Sequence, residues 1–182
     1  MRDHIIRAAA ENDGPELSRL LTALGHPTTA EGVQELWSQW AEAGNRAFVV
    51  AEPSGRLLGL VNLHRMVVLH RPKPVGRITA LVVDPTIRGR GIGRSLVAAA
   101  ESELYGAGCG LIEITSNNRL VDAHGFYEHL GYTRTSIRLA KDLSSFDKSP
   151  ASLQNGPGYA THAPNQSAGS LVHDGRADTG RS

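Results

Sequence analysis

From Arg88 to Arg94 the chain reads RGRGIGR: Gly89, Gly91 and Gly93 at every second position, with Arg88, Arg90 and Arg94 among them. Glycines so spaced leave successive backbone N–H groups unobstructed, and the run opens onto a helical pattern beginning near Gly93. Bare amides at a helix N-terminus, reinforced by the helix dipole, form an anion cradle. Arginines beside it add charge-assisted hydrogen bonds. The chemistry expected of Gly89 to Arg94, Ile92 included, is the binding of a phosphate or pyrophosphate. The plainer alternative is a flexible loop with solvated arginines, but an apolar strand before the run and a helix after it favour the cradle. Two phosphate loops are excluded. A Walker loop needs Lys-Ser or Lys-Thr after its last glycine, and Arg94-Ser95 stands there; a dinucleotide fingerprint needs a glycine where Arg94 is.

The elements that must hold this loop are readable from hydrophobic period and turn residues. His4–Ala9 reads as a strand. A helix follows, capped by Asp13 and opened by Pro15 or Glu16, with Leu17, Leu20, Leu21 and Leu24 on one stripe. A second helix runs from Thr29 to Ala43, with Val33, Leu36, Trp37 and Trp40 together. Two strands then flank Pro53-Ser54-Gly55 as a hairpin, and VGRITALVVDP is a further strand ended by Asp84-Pro85. Beyond the helix over about Gly93–Tyr105, GLIEITSN reads as a strand, VDAHGFYEHLGY as a short helix closed by Gly131, and TRTSIRLAKDL as a last strand. The order β-α-α-β-β-β-α-β-α-β predicts an α/β fold of the mixed α+β kind, a central, mostly antiparallel sheet with helices on both faces.

Composition narrows the class. The chain has 182 residues, and 19 Lys plus Arg against 18 Asp plus Glu give a net charge of +1, which makes no case for nucleic acid or a membrane surface as partner. The single cysteine, Cys109, cannot form an internal disulfide and is read as structural. The N-terminal stretch lacks the apolar core of a signal peptide or a membrane span, so a cytoplasmic protein is expected. From Ser144 onward Ser, Gly, Ala and Pro dominate without apolar period, so 144–182 is expected to be a disordered tail and 1–143 the working domain.

Arg88-x-x-Gly91-x-Gly93, between the strand ITALVVDP and the helix RSLVAAAESE, resembles the acetyl-CoA pyrophosphate loop of GCN5-related N-acetyltransferases (GNAT). GFYEHLGY is similar to that family's second signature. The resemblance implies transfer of an acetyl group from acetyl-CoA to a primary amine of a small molecule, by direct attack in a ternary complex. It implies a strand before the loop that splays from the next one, leaving backbone groups of Leu81, Val82 and Val83 for the pantetheine arm, and Tyr127 as the acid that protonates the departing thiolate. Asn117 or Asn118 would bond to the same arm. The resemblance also admits a homodimer. Protein or peptide N-acetylation, or a non-catalytic acyl-CoA-binding regulatory module, are the alternative functions.

Within the family, SNNRLVDAHGFYEHLGYTRTSIRLAKDL and GLVNLHRMVVLHRPKPVGRITALVV are similar to aminoalkylphosphonate N-acetyltransferases. Those enzymes carry a glutamate on the strand before the loop that can deprotonate the amine; here Ala80 holds the matching position. His64, His70 and Glu113 are the candidate bases, the two histidines sharing a face if their strand is unbroken. Arg65, Arg71, Lys73 and Arg77 either attract an anionic substrate or form a solvated strand face. Acceptor specificity is expected in the helices of 15–43 and near His70-Arg71-Pro72. His124 and Glu128 are spaced for a helix-surface pair. No metal is expected, since His64 and His70 lack a third ligand.

Overall fold

A computed structural model of the chain describes residues 4–117 and 120–144; the expected tail lies outside them beyond Ser144. Met1–Arg138 make up one compact unit. Its elements are β1 (Ile5–Ala8), α1 (Gly14–Leu24), α2 (Ala30–Glu42), β2 (Asn45–Ala51), β3 (Leu57–Met66), β4 (Val75–Val83), α3 (Ile92–Gly106), β5 (Leu111–Ile114) and α4 (Val121–His129), with short 3-10 turns at Glu11–Asp13 and Pro85–Ile87. The five strands lie in chain order. β1 to β4 pair antiparallel and β5 runs parallel to β4, the mixed, mostly antiparallel sheet expected.

Alternation along the strands divides the apolar residues between two cores. On one face α1 and α2 cover Ala47, Val49, Leu57, Leu60 and Val82 with Leu17, Leu20, Trp37 and Trp40. On the other, α3 lays Leu96, Val97, Ala100 and Leu104 against Val61, Leu63 and Ile78, and Phe126 and Tyr127 of α4 join that side. Two strand glycines admit α3 at close range. A Cβ on Gly59 would come within 3.0 Å of the Val82 carbonyl and 2.9 Å of Leu96, and one on Gly76 within 2.6 Å of Leu104. The helix that follows the glycine-arginine run is thus seated against bare backbone.

Local signals worked unevenly. Thr29 caps α2, its hydroxyl accepting from the Gly32 amide at 3.0 Å. Asp13 does not cap α1 with its side chain; its carboxylate binds Arg7 twice at 2.7 Å and accepts from the Ala10 amide. The last strand expected over Thr133–Leu143 is not formed, and this stretch is exposed, Ile137 at 86% and Leu139 at 90%. Alternation states which face of a strand would be buried but supplies no ladder partner. The neighbouring edge strand β5 has only four residues.

Candidate functional site

The parallel ladder between β4 and β5 runs from Val75–Leu111 to Ile78–Ile114 and stops. β4 continues along β3 to Val83, with a bulge at Thr79, where Asn62 faces Ala80 and Leu63 faces Ile78. Among the described residues, the half of β4 beyond Ile78 therefore has a strand partner on one side only. Which groups are left over follows from the antiparallel alternation. The Asp84 amide donates to the Leu58 carbonyl at 2.9 Å, so Leu60–Val82 and Asn62–Ala80 are the hydrogen-bonded pairs. Val82 thus turns its backbone to β3, while Leu81 and Val83 turn theirs to the open side. Val83 and Leu81 also pack their side chains on the α3 side of the sheet, with Phe126 and Tyr127.

The open edge leads directly into the glycine-arginine run. Gly89 (φ +79°) and Gly91 (φ +80°) are both left-handed, a conformation in which a side chain is strained. Gly91 is the N-cap of α3, no side chain caps that end, and its first turn holds no acid. The first amides of a 15-residue helix are left without a protein partner from a cap. Ile92 is buried and pins the turn, whereas Arg88, Gly89, Arg90, Gly91 and Arg94 are exposed. Arg88 Nε reaches the Val83 carbonyl only at 3.5 Å. Among the described residues no ion pair engages Arg88, Arg90 or Arg94. Uncompensated positive charge at the positive end of a helix works against folding, so an anion is what the turn is suited to.

Asp84 fixes the junction between strand and turn, a role its sequence context did not reveal, since Asp84-Pro85 reads only as a strand end. Its side chain is 3% exposed and lies 2.9 Å from Arg19 of α1 and 2.8 Å from Arg56. It also accepts from the Thr86 amide (3.0 Å) and hydroxyl (2.7 Å). The Arg56 contact, the Thr86 donors and Arg19 hold the carboxyl well below the usual carboxylate range. A carboxyl depressed in the fold contributes stability above its unfolded value near ~3.9, and loses it as pH falls through the lower folded value. Asp84→Asn is therefore expected to cost about 2 kcal/mol at pH 7. It is also expected to weaken the acid dependence of unfolding below about pH 4, as read by urea melts across pH.

Tyr127 sits on α4 beside the same edge. Its ring meets Phe126 and Tyr132 edge-on at 5.2 and 6.0 Å, and Tyr132 donates to Glu101 of α3 at 2.8 Å. The Tyr127 carbonyl accepts from the amides of both Leu130 and Tyr132, so backbone and ring are held together. Gly93 lies against the same group: a Cβ there would be in ordinary contact, 3.4 Å from the Phe126 ring and 3.6 Å from Val83. Burial pushes the Tyr127 hydroxyl above its ordinary value of 10.0, so it keeps its proton at neutral pH and can donate it.

The α1/α2 face of the sheet changes character near the bulge. Val49, Leu60 and Val82 form an apolar rung; Ala47, Asn62 and Ala80 form the next; Asn45, His64, Arg77 and Glu113 form a polar one. Ala80 thus offers no titratable group, as its sequence position suggested. Glu113 binds Arg77 at 2.9 Å. His64 Nδ1 and Arg77 Nε are buried without a hydrogen-bond partner among the described residues. The neutralised Arg77 and the Thr79 bulge were both invisible in the sequence, since each depends on register.

The other candidates are dispersed. β3 ends at Met66, so His70 lies in the exposed connection after it and shares no strand face with His64. Arg71 and Lys73 are exposed in that connection, and Arg65 donates to the Ala107 carbonyl at 3.1 Å. The four cations do not form one patch. Glu128 pairs with Arg134 at 2.7 Å rather than with His124. Cys109 is half-buried against the α3 core. Asn117 is exposed just beyond β5, and Asn118 lies outside the described residues.

Residues 15–132 match the acetyltransferase (GNAT) family. The chain belongs to that family. The GNAT family is one of acetyl-transferring acyltransferases, and the chain is similar to named members. An aminoalkylphosphonate N-acetyltransferase of Salmonella typhimurium is 38% identical over 99 residues, covering 54% of this chain and 64% of that protein. A glucosamine 6-phosphate N-acetyltransferase of Trypanosoma brucei brucei is 31% identical over 147 residues, 76% of this chain and 95% of that protein. Among solved structures, a Trypanosoma brucei acetyltransferase superposes with a TM-score of 0.70 at 27% identity, over 78% of this chain and all of that one. The two features a GNAT site needs for acetyl-CoA have residues here that fit: outward amides and carbonyls at Leu81 and Val83 for an extended arm, and an uncapped, arginine-flanked helix start for a pyrophosphate. Among the described residues no helix is long and apolar enough to cross a membrane.

Proposed function

We propose that the protein moves the acetyl group of acetyl-CoA to the primary amine of a small molecule, by direct attack while both are bound. The observation that carries this reading is the continuity of the site: an open β4 edge that leads, through the Pro85–Ile87 turn, to an uncapped helix start whose three arginines make no ion pair among the described residues. The pyrophosphate rests on the amides of Gly89 to Arg94 with Arg88, Arg90 and Arg94 around it. The pantetheine arm lies along Leu81 and Val83. Acetyl-CoA supplies an activated acyl carbon and a thiolate leaving group. The outward Val83 N–H holds the negative charge that develops on the acyl oxygen, and Tyr127 gives its proton to the leaving sulfur. Much of the rate comes from fixing two reactants side by side. No covalent bond to the protein is needed, which leaves Cys109 without a chemical task.

The acceptor enters over the Asn62–Ala80 and His64–Arg77 rungs, where the sheet turns from apolar to polar. The test is free-thiol release from acetyl-CoA by the full chain across aminoalkylphosphonates, phosphorylated amino sugars, amino acids, polyamines and peptides, beside calorimetric CoA binding. Amine-dependent release with one of the small amines supports the reading, and preference for a peptide moves the acceptor to a protein. Tight CoA binding with no release for any acceptor would favour an acyl-CoA-binding module, the reading that Ala80 favours by removing the usual carboxylate. No CoA binding at all would overturn the site.

A further inference from the structure

Resting on the acetyl-transfer reading, we propose that His64 is the group that takes the proton from the substrate ammonium, through its Nε2. An amine must lose a proton before it can attack, and Ala80 has none of the chemistry to accept it. Four titratable side chains come into question. Tyr127 is protonated and serves the leaving group. His70 lies off the strand in an exposed connection. Glu113 is held by Arg77 at 2.9 Å and would surrender that contact to accept a proton. His64 remains, on β3, two residues from the Asn62 that faces Ala80 and on the same face of the sheet. Two strand residues span about 7 Å, a gap the substrate nitrogen, or one bridging water, covers.

The imidazole is placed for this. Its Nδ1 is buried without a partner among the described residues, which leaves Nε2 as the nitrogen a substrate can reach. The charged groups on its rung are Arg77, directly across on β4, and Glu113 beyond it. On the β2 side stands Asn45, its amide donating to the Trp40 carbonyl of α2 at 2.8 Å. Protons balance as follows. One ammonium proton passes to His64 Nε2 and on to solvent, and the freed lone pair forms the N–C bond as the C–S bond breaks. A second nitrogen proton is lost and replaces the one Tyr127 gives the thiolate. The third stays on the amide.

The experiment is a pH profile of kcat/KM for the amine with the full chain and His64→Gln, alongside acetyl-CoA Kd and Tm. The expected result is a fall of about a hundredfold in kcat/KM at neutral pH and an acid limb displaced upward to the ionisation of the amine itself, with Kd and Tm unchanged. His64→Asn should behave alike, which guards against a folding artefact in either variant. Variants whose acid limb stays at the wild-type position, whether rates fall uniformly or stay within about threefold, would overturn the assignment. Wild-type silence with every amine would overturn the acetyl-transfer reading itself, and the role of His64 with it.

Discussion

Tyr127→Phe is expected to lower kcat by about a thousandfold while leaving acetyl-CoA affinity nearly unchanged. A general acid contributes in the range of roughly 10²–10⁴, and the upper part applies because a thiolate departing into a partly buried site has little water to protonate it. The variant removes one oxygen and keeps the ring, so its packing on Phe126 and Tyr132 and the backbone bonds of the α4 end survive. Calorimetric CoA binding and Tm should therefore match the wild type. The burial that pushes the hydroxyl upward adds a second signature. The wild type should show no loss of rate from tyrosine ionisation up to about pH 10. A purely structural tyrosine would give the reverse pattern, with altered stability and nearly normal turnover. A kcat within a few fold of wild type would remove Tyr127 from the chemistry.

How far the sequence carried can be judged from particular residues. Gly89 and Gly91 were legible because the property they supply is local: a left-handed backbone is a matter of one residue's sterics, and glycine is its signature. The helices were legible for the same kind of reason, a 3.6-residue period and a cap such as Thr29. What depended on register was not. That Leu81 and Val83 face the open edge while Val82 faces β3 follows from which pairs on β3 and β4 exchange hydrogen bonds, and no composition or period encodes that phase. The Thr79 bulge, which brings Ala80 and Arg77 onto one face, is likewise an insertion relative to a partner strand. Asp84 shows the limit in another way. Its two arginines come from residues 65 and 28 positions away, so its anchoring role could not be read from its neighbours. The missing strand after Tyr132 fails by the same logic, since alternation is local and an available edge is not.

Arg94→Glu should separate binding from folding by moving them in opposite directions. Arg94 is the third residue of α3 and is exposed, and no acid stands in that first turn. A glutamate there complements the helix dipole, so the fold should gain about 0.3–1 kcal/mol, seen as a small rise in Tm. The same change takes a cation from the pyrophosphate cradle and puts an anion in its place. Losing a charge-assisted contact costs about 1.5–3 kcal/mol, and the added repulsion brings the expected weakening of CoA binding to roughly a hundredfold or more. High salt should narrow the gap between variant and wild type, because exposed charges are screened within about 10 Å at 0.1 M. Desphospho and truncated CoA fragments locate the effect: binding of a fragment without the pyrophosphate should be indifferent to residue 94. If Arg94 were only a solvated surface residue, the Tm would rise and the affinity would not move. A helix that becomes more stable while losing its ligand is the result that ties the arginines of this turn to an anion, because the fold alone has no use for positive charge at that end.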